Sequence, residues 1–390
     1  MLRDAQAIAH RISEQMQKEN LNALLLTEAG SLMYATGYKV RWGGTLGVVA
    51  PDGTVTLICS EFTKDSIADV VDEKFVHIVS YPCWIFIEDY ATPGEVKEVQ
   101  PNPDEIFRIA QNYIPKTSGK LRIGIEPQSL NYLQYRFLAN AYGEEALTNA
   151  GPVLREASAI KTPWEIEVLR RNAKASQTAM HKTAHNTLPG TTMAEIFDMF
   201  TKYSVDALPG TTSIGHAHTI AHKFAPTTMP GDFEVKLGDL VRLDGGPNGL
   251  GYNSDLARTF AVGGVCSDDK KEIFEALWAG HQYQLDHIKP GVRMCDIFEG
   301  TDRAIKQFGF MNEYSYNRGH YGHSLGCAIG AEEYPFIAPN EPRVFEPGMV
   351  FCIETPYYSS KHHTYNIEDT ILITETGIEP FSSAPHTLLY

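Results

Sequence analysis

Apolar positions recur with helical spacing over residues 4–18, and the rhythm then shortens. In NALLLTEAGSLMYATGY, TLGVVAPDGTVTLIC and FVHIVSY, short apolar runs alternate with turn residues, which predicts strands joined by tight turns. Asp52-Gly53 between two such runs is a hairpin signal, because a two-residue turn demands positive φ. Helical spacing returns over residues 61–72, and LRIGIE at 121–126 reads as a further strand. Helices and strands interleaved in this way predict a layered α/β domain.

The texture changes after Leu154. Thr162-Pro163 with Glu165 and Glu167 marks a helix start, since proline fits a first turn and acids favour the positive end of the helix dipole. A long helical periodicity follows, and further helices are predicted over residues 192–207, 269–288 and 295–308. The runs DLVRLDGG, ARTFAVGG, MVFCIETPYY and YNIEDTILIT read as strands, with no fixed-period repeat among them. The boundary falls near residue 155, which predicts domains over 1–155 and 156–390.

A chain of 390 residues, 43% of them hydrophobic, is long and apolar enough for two cores. Its formal charge of -15 argues against nucleic acid or an anionic membrane as partner, because either would be repelled. No segment reaches the roughly 18 apolar residues of a membrane span, and the N-terminal run lacks an apolar stretch followed by small residues, so a cytoplasmic protein is expected. Cys59, Cys83, Cys266, Cys295, Cys327 and Cys352 have no paired spacing and are expected to be reduced thiols.

Several acids break the apolar strands. Asp244 ends one predicted strand and Asp255 begins the next, 255 − 244 = 11 residues on, with Gly245, Gly246, Gly249 and Gly251 in the connection, so a hairpin can bring both carboxylates together. Downstream, GHSLG holds His323, CIETP holds Glu354 and NIEDT holds Glu368. A carboxylate on a buried strand is costly unless it is paired or bound to metal. Four carboxylates and one imidazole can hold two divalent ions that share and activate a water molecule. Oxygen-rich ligation favours manganese, iron or cobalt over zinc.

In this order the residues resemble the metallopeptidases of the pita-bread fold, among them methionine aminopeptidase, aminopeptidase P and prolidase, with creatinase a relative. That pattern is an Asp, a second Asp eleven residues on in an SDxxRT-like string, a His in GHxxG, a Glu in an IEP-like string and a Glu in an IED-like string. LREASAIKTPWEIEVLRRNA resembles the linker and first catalytic-domain helix of prolidase-like members, and NALLLTEAGSLMYATGY resembles their N-terminal domain, which methionine aminopeptidase lacks. The resemblance spans almost the whole chain. It implies a creatinase-like α/β N-terminal domain, an α+β pita-bread catalytic domain and a homodimer. Asp255 and Glu368 would bridge the ions, Asp244 would hold one, and His323 and Glu354 the other. Glu354 would accept a proton, and His222, seven residues after Gly215 in SIGHAHTIAH, would assist, with His216 and His218 as neighbouring candidates. His320 is expected to support the site rather than react. The implied reaction is hydrolysis of a C–N amide bond in an Xaa-Pro dipeptide or short peptide.

Three features depart from the pattern. Position 323 + 7 = 330 is glycine where the peptidases carry a histidine, although Glu332 and Glu333 ahead of Tyr334-Pro335 resemble a displaced HEEP-like string. Asn366 stands where prolidase-like members carry an arginine, and the segment HKFAPTTMPGDFEVKLGD before Asp244 is long. These features leave open a metal-dependent small-molecule lyase, or an amidine or lactam hydrolase, resembling dimethylsulfoniopropionate lyase, creatinase or ectoine hydrolase. A binding protein without catalysis is disfavoured by the complete ligand set. Trp42, Tyr81, Trp84, Phe86 and Tyr90 read as core or dimer packing, with an aromatic box for a substrate group as the other reading.

Overall fold

Asp4 starts the first helix by accepting a hydrogen bond from Ala7 N at 2.9 Å, and Ile8, Ile12 and Met16 form its buried stripe. The computed structural model describes residues 3–40, 44–83, 94, 105–211, 213–215, 219–220, 231–309, 313–327 and 332–389, in two compact units, Met1–Ser158 and Ala159–Tyr390.

In chain order the first unit contains α1 (Ala5–Lys18), β1 (Ala23–Leu26), α2 (Ala29–Thr36), β2 (Leu46–Val49), β3 (Val55–Ser60), α3 (Lys64–Ala68), β4 (Val76–Tyr81), α4 (Glu105–Ala110), β5 (Ile123–Ile125), α5 (Tyr132–Tyr142), β6 (Leu147–Asn149) and α6 (Gly151–Ala159). The strands form a mixed sheet in the order β4-β3-β2-β1-β5-β6. The Asp52-Gly53 signal marks the β2–β3 hairpin, where Val49 pairs with Val55. Gly53 has φ of 85°, and a Cβ there would lie 2.0 Å from the Ala9 carbonyl oxygen, so only glycine fits.

Two expectations need correction. Residues 29–36 are helical rather than extended, and Gly37 closes α2 in the left-handed region with its N–H on Met33 O, a C-cap that the apolar run conceals. The helix expected over 61–72 is only Lys64–Ala68. Tyr81 belongs to the core beside Ile58 and Phe107, whereas Trp42, Trp84, Phe86 and Tyr90 lie outside the described residues.

The second unit begins with a capping box. Thr162 Oγ1 accepts from Glu165 N at 3.3 Å and Glu165 Oε2 from Thr162 N at 2.7 Å, which starts α7 (Pro163–Asn186). Thr192 and Glu195 repeat the device for α8 (Met193–Ala207). The helices α9 (Asp268–His287) and α10 (Met294–Lys306) pack together as a second pair. Between and after them run β7 (Ser213–Ile214), β8 (Thr219–Ile220), β9 (Leu240–Gly245), β10 (Pro247–Asn248), β11 (Leu256–Ala261), β12 (Gly322–Ser324), β13 (Glu333–Phe336), β14 (Val350–Glu354), β15 (Tyr357–Ser359), β16 (His363–Tyr365), β17 (Glu368–Ile373) and β18 (Ile378–Pro380).

The main sheet runs β13-β12-β14-β17-β11-β9-β8 with antiparallel neighbours, and β18 pairs with β17. Val241, Leu243, Leu256 and Phe260 pack with Met180, Ile196 and Phe200 of α7 and α8. Phe351, Ile353, Ile371 and Ile373 pack with Leu277, Ile297 and Ile305 of α9 and α10. Strand alternation therefore turns Arg242, Asp244, Cys352, Glu354 and Glu368 to the face opposite the helices.

Asp369, next to Glu368, points to the helix side. It accepts from Arg258 Nη2 at 2.7 Å, Ser382 Oγ at 2.7 Å and Ala384 N at 2.9 Å, and His281 Nε2 lies 3.0 Å away. Burial alone would raise its pKa, but Arg258 and His281 outweigh burial and hold it below the usual aspartate value. The network ties β11, β17 and α9 together. Because the folded pKa is depressed, its stabilisation is present at neutral pH and lost as pH falls through the folded value. Asp369→Ala leaves Arg258 buried without its carboxylate, and a loss of about 3–5 kcal/mol is expected. Calorimetric unfolding at neutral pH measures it, and an unchanged melting temperature would refute the role.

Candidate metal centre

Sheet register assembles the site. Ala257 of β11 stands opposite Asp244 of β9 on one side and Glu368 of β17 on the other, and Glu368 stands opposite Glu354 of β14. With strands about 4.8 Å apart, one row across four strands reads Asp244, Ala257, Glu368, Glu354. The small Ala257 side chain leaves room above that row. Asp255 is two residues before Ala257 and shares its face, while His323 of β12 pairs with Cys352, two residues before Glu354.

The five sequence-predicted residues thus come together. His323 Nε2 lies 3.7 Å from Glu368 Oε1 and 3.9 Å from Asp255 Oδ2. Asp244, Asp255 and Glu368 each offer an oxygen, all within 4.8 Å of one another, and His323, Cys352 and Glu368 form a second such group. Asp255, Glu354, Glu368 and His323 are respectively 7%, 5%, 2% and 1% exposed, too little for water to solvate their charges.

The electrostatics test whether cations fit. Burial, then the neighbouring carboxylates, pushes Asp255 and Glu368 well above the ordinary carboxylate range. Asp244 is also raised by burial, and Arg242 beside it opposes the rise. Burial pushes His323 down to about 4, so its imidazole is neutral at physiological pH. Its Nδ1 is 3.0 Å from Ser324 O; assigning the ring proton there leaves the Nε2 lone pair facing carboxylate oxygens. Glu368 Oε1 has no hydrogen-bond donor among the described residues. A lone pair set against oxygens is repulsive until a cation lies between them. The donor set fits divalent metal.

Other side chains support the acids. Asn366 Nδ2 donates to Glu354 Oε2 at 3.0 Å, and His320 Nδ1 lies 3.3 Å from Glu354 Oε1. His320 Nε2 is 3.3 Å from Glu332 Oε2, and Arg318 Nη2 donates to Glu332 Oε1 at 2.7 Å. The hydrogen bond from His320, with Arg318, holds Glu332 at about 2 against the opposing effect of burial. Arg242 pairs with Asp244. Sequence reasoning missed Arg242, Arg318 and the proximity of Cys352. Arg242 had a signal, since residues two apart on a strand share a face; Arg318, outside regular secondary structure, had none. His216, His218, His222 and Gly330 lie outside the described residues.

Residues 9–160 match the family model described as the Creatinase/Prolidase N-terminal domain, and residues 167–375 match Metallopeptidase family M24. The Xaa-Pro dipeptidase of Pyrococcus furiosus is 27% identical over 294 residues, covering 73% of this chain and 78% of the relative. That of Pyrococcus horikoshii is 24% identical over 387 residues, covering 97% of each. Among solved structures, an Xaa-Pro dipeptidase from Bacillus anthracis has a TM-score of 0.78 at 21% identity, covering 99% of both chains. The fold is therefore the expected creatinase-like α/β domain followed by a pita-bread domain.

Two outcomes follow from this geometry. Gly322, at φ of 150°, has no room for a side chain, because a Cβ would lie 2.4 Å from Cys352 O. Gly322→Ala is expected to cost about 1–3 kcal/mol and to weaken divalent-metal binding by shifting His323, both read by thermal unfolding with and without metal. Because Asp255 and Glu368 have raised folded pKa values, their contribution to metal-free stability is fully present only below the ordinary carboxylate pKa and is lost progressively as pH rises from there through the folded values. Metal loading must then release protons. Calorimetry in buffers of different ionisation enthalpy is expected to detect that release, and binding heats independent of buffer would refute it.

Proposed function

The chain belongs to metallopeptidase family M24, and on that premise we propose that it is a metal-dependent Xaa-Pro dipeptidase that hydrolyses the C–N amide bond at a centre of two divalent ions. One observation carries the metal reading: the buried His323 Nε2 lies 3.7 Å from Glu368 Oε1 and 3.9 Å from Asp255 Oδ2. The substrate reading is supported by relatives that bear the name Xaa-Pro dipeptidase. Asp255 and Glu368 would bridge the ions, with Asp244 on one and His323 and Glu354 on the other.

When bound, such ions polarise a carbonyl and lower the pKa of water. The chain's own groups then orient and move protons. Asn366 fixes Glu354 Oε2, leaving Oε1 turned towards His320 as the oxygen that takes the proton from the attacking water. Glu332 and Arg318 hold the His320 ring in place from behind. His222 is the proposed second proton carrier, on the resemblance of its sequence context. The oxygen-rich donor set supports manganese, iron or cobalt over zinc.

Free thiols at all six cysteines support a cytoplasmic location, and no described helix is long and apolar enough to cross a membrane. A homodimer is proposed on the family resemblance. A domain boundary near residue 155 is proposed from the change in sequence texture, a few residues before the division of the two compact units after Ser158. The alternative of a small-molecule lyase or an amidine or lactam hydrolase is not favoured, since the dipeptidase name recurs among the relatives.

The test is to strip the protein with chelator, reload it with manganese and assay Xaa-Pro dipeptides against dipeptides lacking proline. Selective turnover is expected. Asp255→Asn should reduce kcat/KM by more than about a hundredfold, the upper range for merely supporting partners of a metal ligand. No turnover with manganese, iron, cobalt or zinc would overturn the dipeptidase reading.

A further inference from the structure

In CIETP the acid is Glu354, but Cys352 stands two residues earlier on β14 and so shares its face of the sheet. The register sets Cys352 opposite His323 of β12 on one side and Thr370 of β17 on the other. Its sulfur is fully buried, 3.5 Å from the Asp255 carbonyl oxygen and 3.9 Å from Thr370 Oγ1. A thiol is a weak donor, so these contacts hold it only lightly.

Three different donors meet at this point. Cys352 Sγ, a ring nitrogen of His323 and a carboxylate oxygen of Glu368 all lie within 4.8 Å of one another, close enough for one ion to touch all three. Two independent observations aim the other members at a ligand. Glu368 is only 2% exposed, and its Oε1 has no donor among the described residues. His323 Nε2 faces oxygens of Glu368 and Asp255. A buried cysteine alone is ordinary core packing. Beside an unmet carboxylate oxygen and an imidazole it completes a set of sulfur, nitrogen and oxygen.

We propose that Cys352 is a further metal ligand: its sulfur binds the ion held by His323 and Glu368, and it raises the preference of that position for cobalt over manganese. The proposal rests on the metal reading given above. On binding, the S–H bond breaks, its proton leaves to the buffer, and the electron pair left on sulfur enters the bond to the ion. Without metal the thiol keeps its proton, because burial, then Glu368 and Asp255, hold it well above the ordinary thiol range. A divalent charge in the same place reverses that balance. Thiolate is a softer donor than carboxylate, and a hard ion such as manganese gains little from it, whereas cobalt gains more. Cys352 is on this account a determinant of which metal the site selects.

Titration of chelator-stripped protein with cobalt(II) tests the proposal. The parent protein is expected to develop a sulfur-to-cobalt charge-transfer band in the near ultraviolet. Cys352→Ser nearly keeps the size of the side chain and removes the sulfur, so it should bind cobalt without that band. The ratio of cobalt to manganese affinity, read by calorimetry, should fall in this variant by about tenfold or more, the least cost of losing a partner that supports a metal site. Cobalt bound to the parent without the band would overturn the proposal. So would a serine variant that keeps the band, since another of the six free thiols would then be its source, or one whose affinity ratio matches the parent's. Should the serine variant not fold, anomalous scattering from cobalt-soaked parent crystals decides: an ion bonded to Cys352 Sγ supports the proposal, and ions bonded only to the carboxylates and His323 overturn it. If the parent binds neither cobalt nor manganese, the metal reading fails and this proposal with it, a result distinct from cobalt bound without sulfur, which removes only the role of Cys352.

Discussion

Four carboxylates crowded on one buried face of a sheet are the constraint around which the second unit is organised. Two bare carboxylates 4 to 5 Å apart repel by about 3–4 kcal/mol even at an effective dielectric constant near 20. Several such pairs rival the roughly 5–15 kcal/mol by which a whole domain is stable. The cluster is therefore tolerable only with protons, a guanidinium or metal ions among the acids. Each of these leaves a mark: the raised pKa values of Asp255 and Glu368, the contact of Arg242 with Asp244, and a His323 imidazole kept neutral with its lone pair turned inward.

The adjacent pair Glu368 and Asp369 shows how backbone geometry divides chemistry. In sequence the two acids look equivalent. The pleat turns Glu368 into the acid cluster, where Oε1 has no donor among the described residues. It turns Asp369 towards Arg258, Ser382, Ala384 and His281, where burial is more than compensated. One acid is left requiring a cation from outside the chain, and its neighbour is satisfied within it. The second anchors the strand that presents the first.

Much of this was legible in the sequence because it rests on local rules. The capping boxes at Thr162 and Thr192 and the hairpin at Asp52-Gly53 are short-range signals, and the acids betrayed themselves by interrupting apolar strands. The helix Ala29–Thr36 was not legible, since an apolar run ending in glycine fits a strand and turn as well as a capped helix. Arg318 was invisible for another reason. It lies outside regular secondary structure, where no periodicity announces its partners Glu332 and His320. Gly322 lies between: its motif was plain, but the reason for glycine, a carbonyl 2.4 Å from where a Cβ would stand, exists only in the paired strands.

The departure at residue 366 changes meaning once the register is known. Taken alone, Asn366 looks like the loss of the guanidinium that prolidase-like members carry there. In the sheet, position 366 and position 242 lie on either side of Thr259, and position 242 is arginine. A positive charge is therefore present beside the acids, delivered from the other flank and set against Asp244 instead of Glu354. Arg318, beside His320 and Glu332, supplies a second positive charge on the Glu354 side, so both flanks of the cluster carry a guanidinium. A comparison of aligned positions one at a time would score a missing residue, whereas the paired strands deliver the same kind of group from a different position.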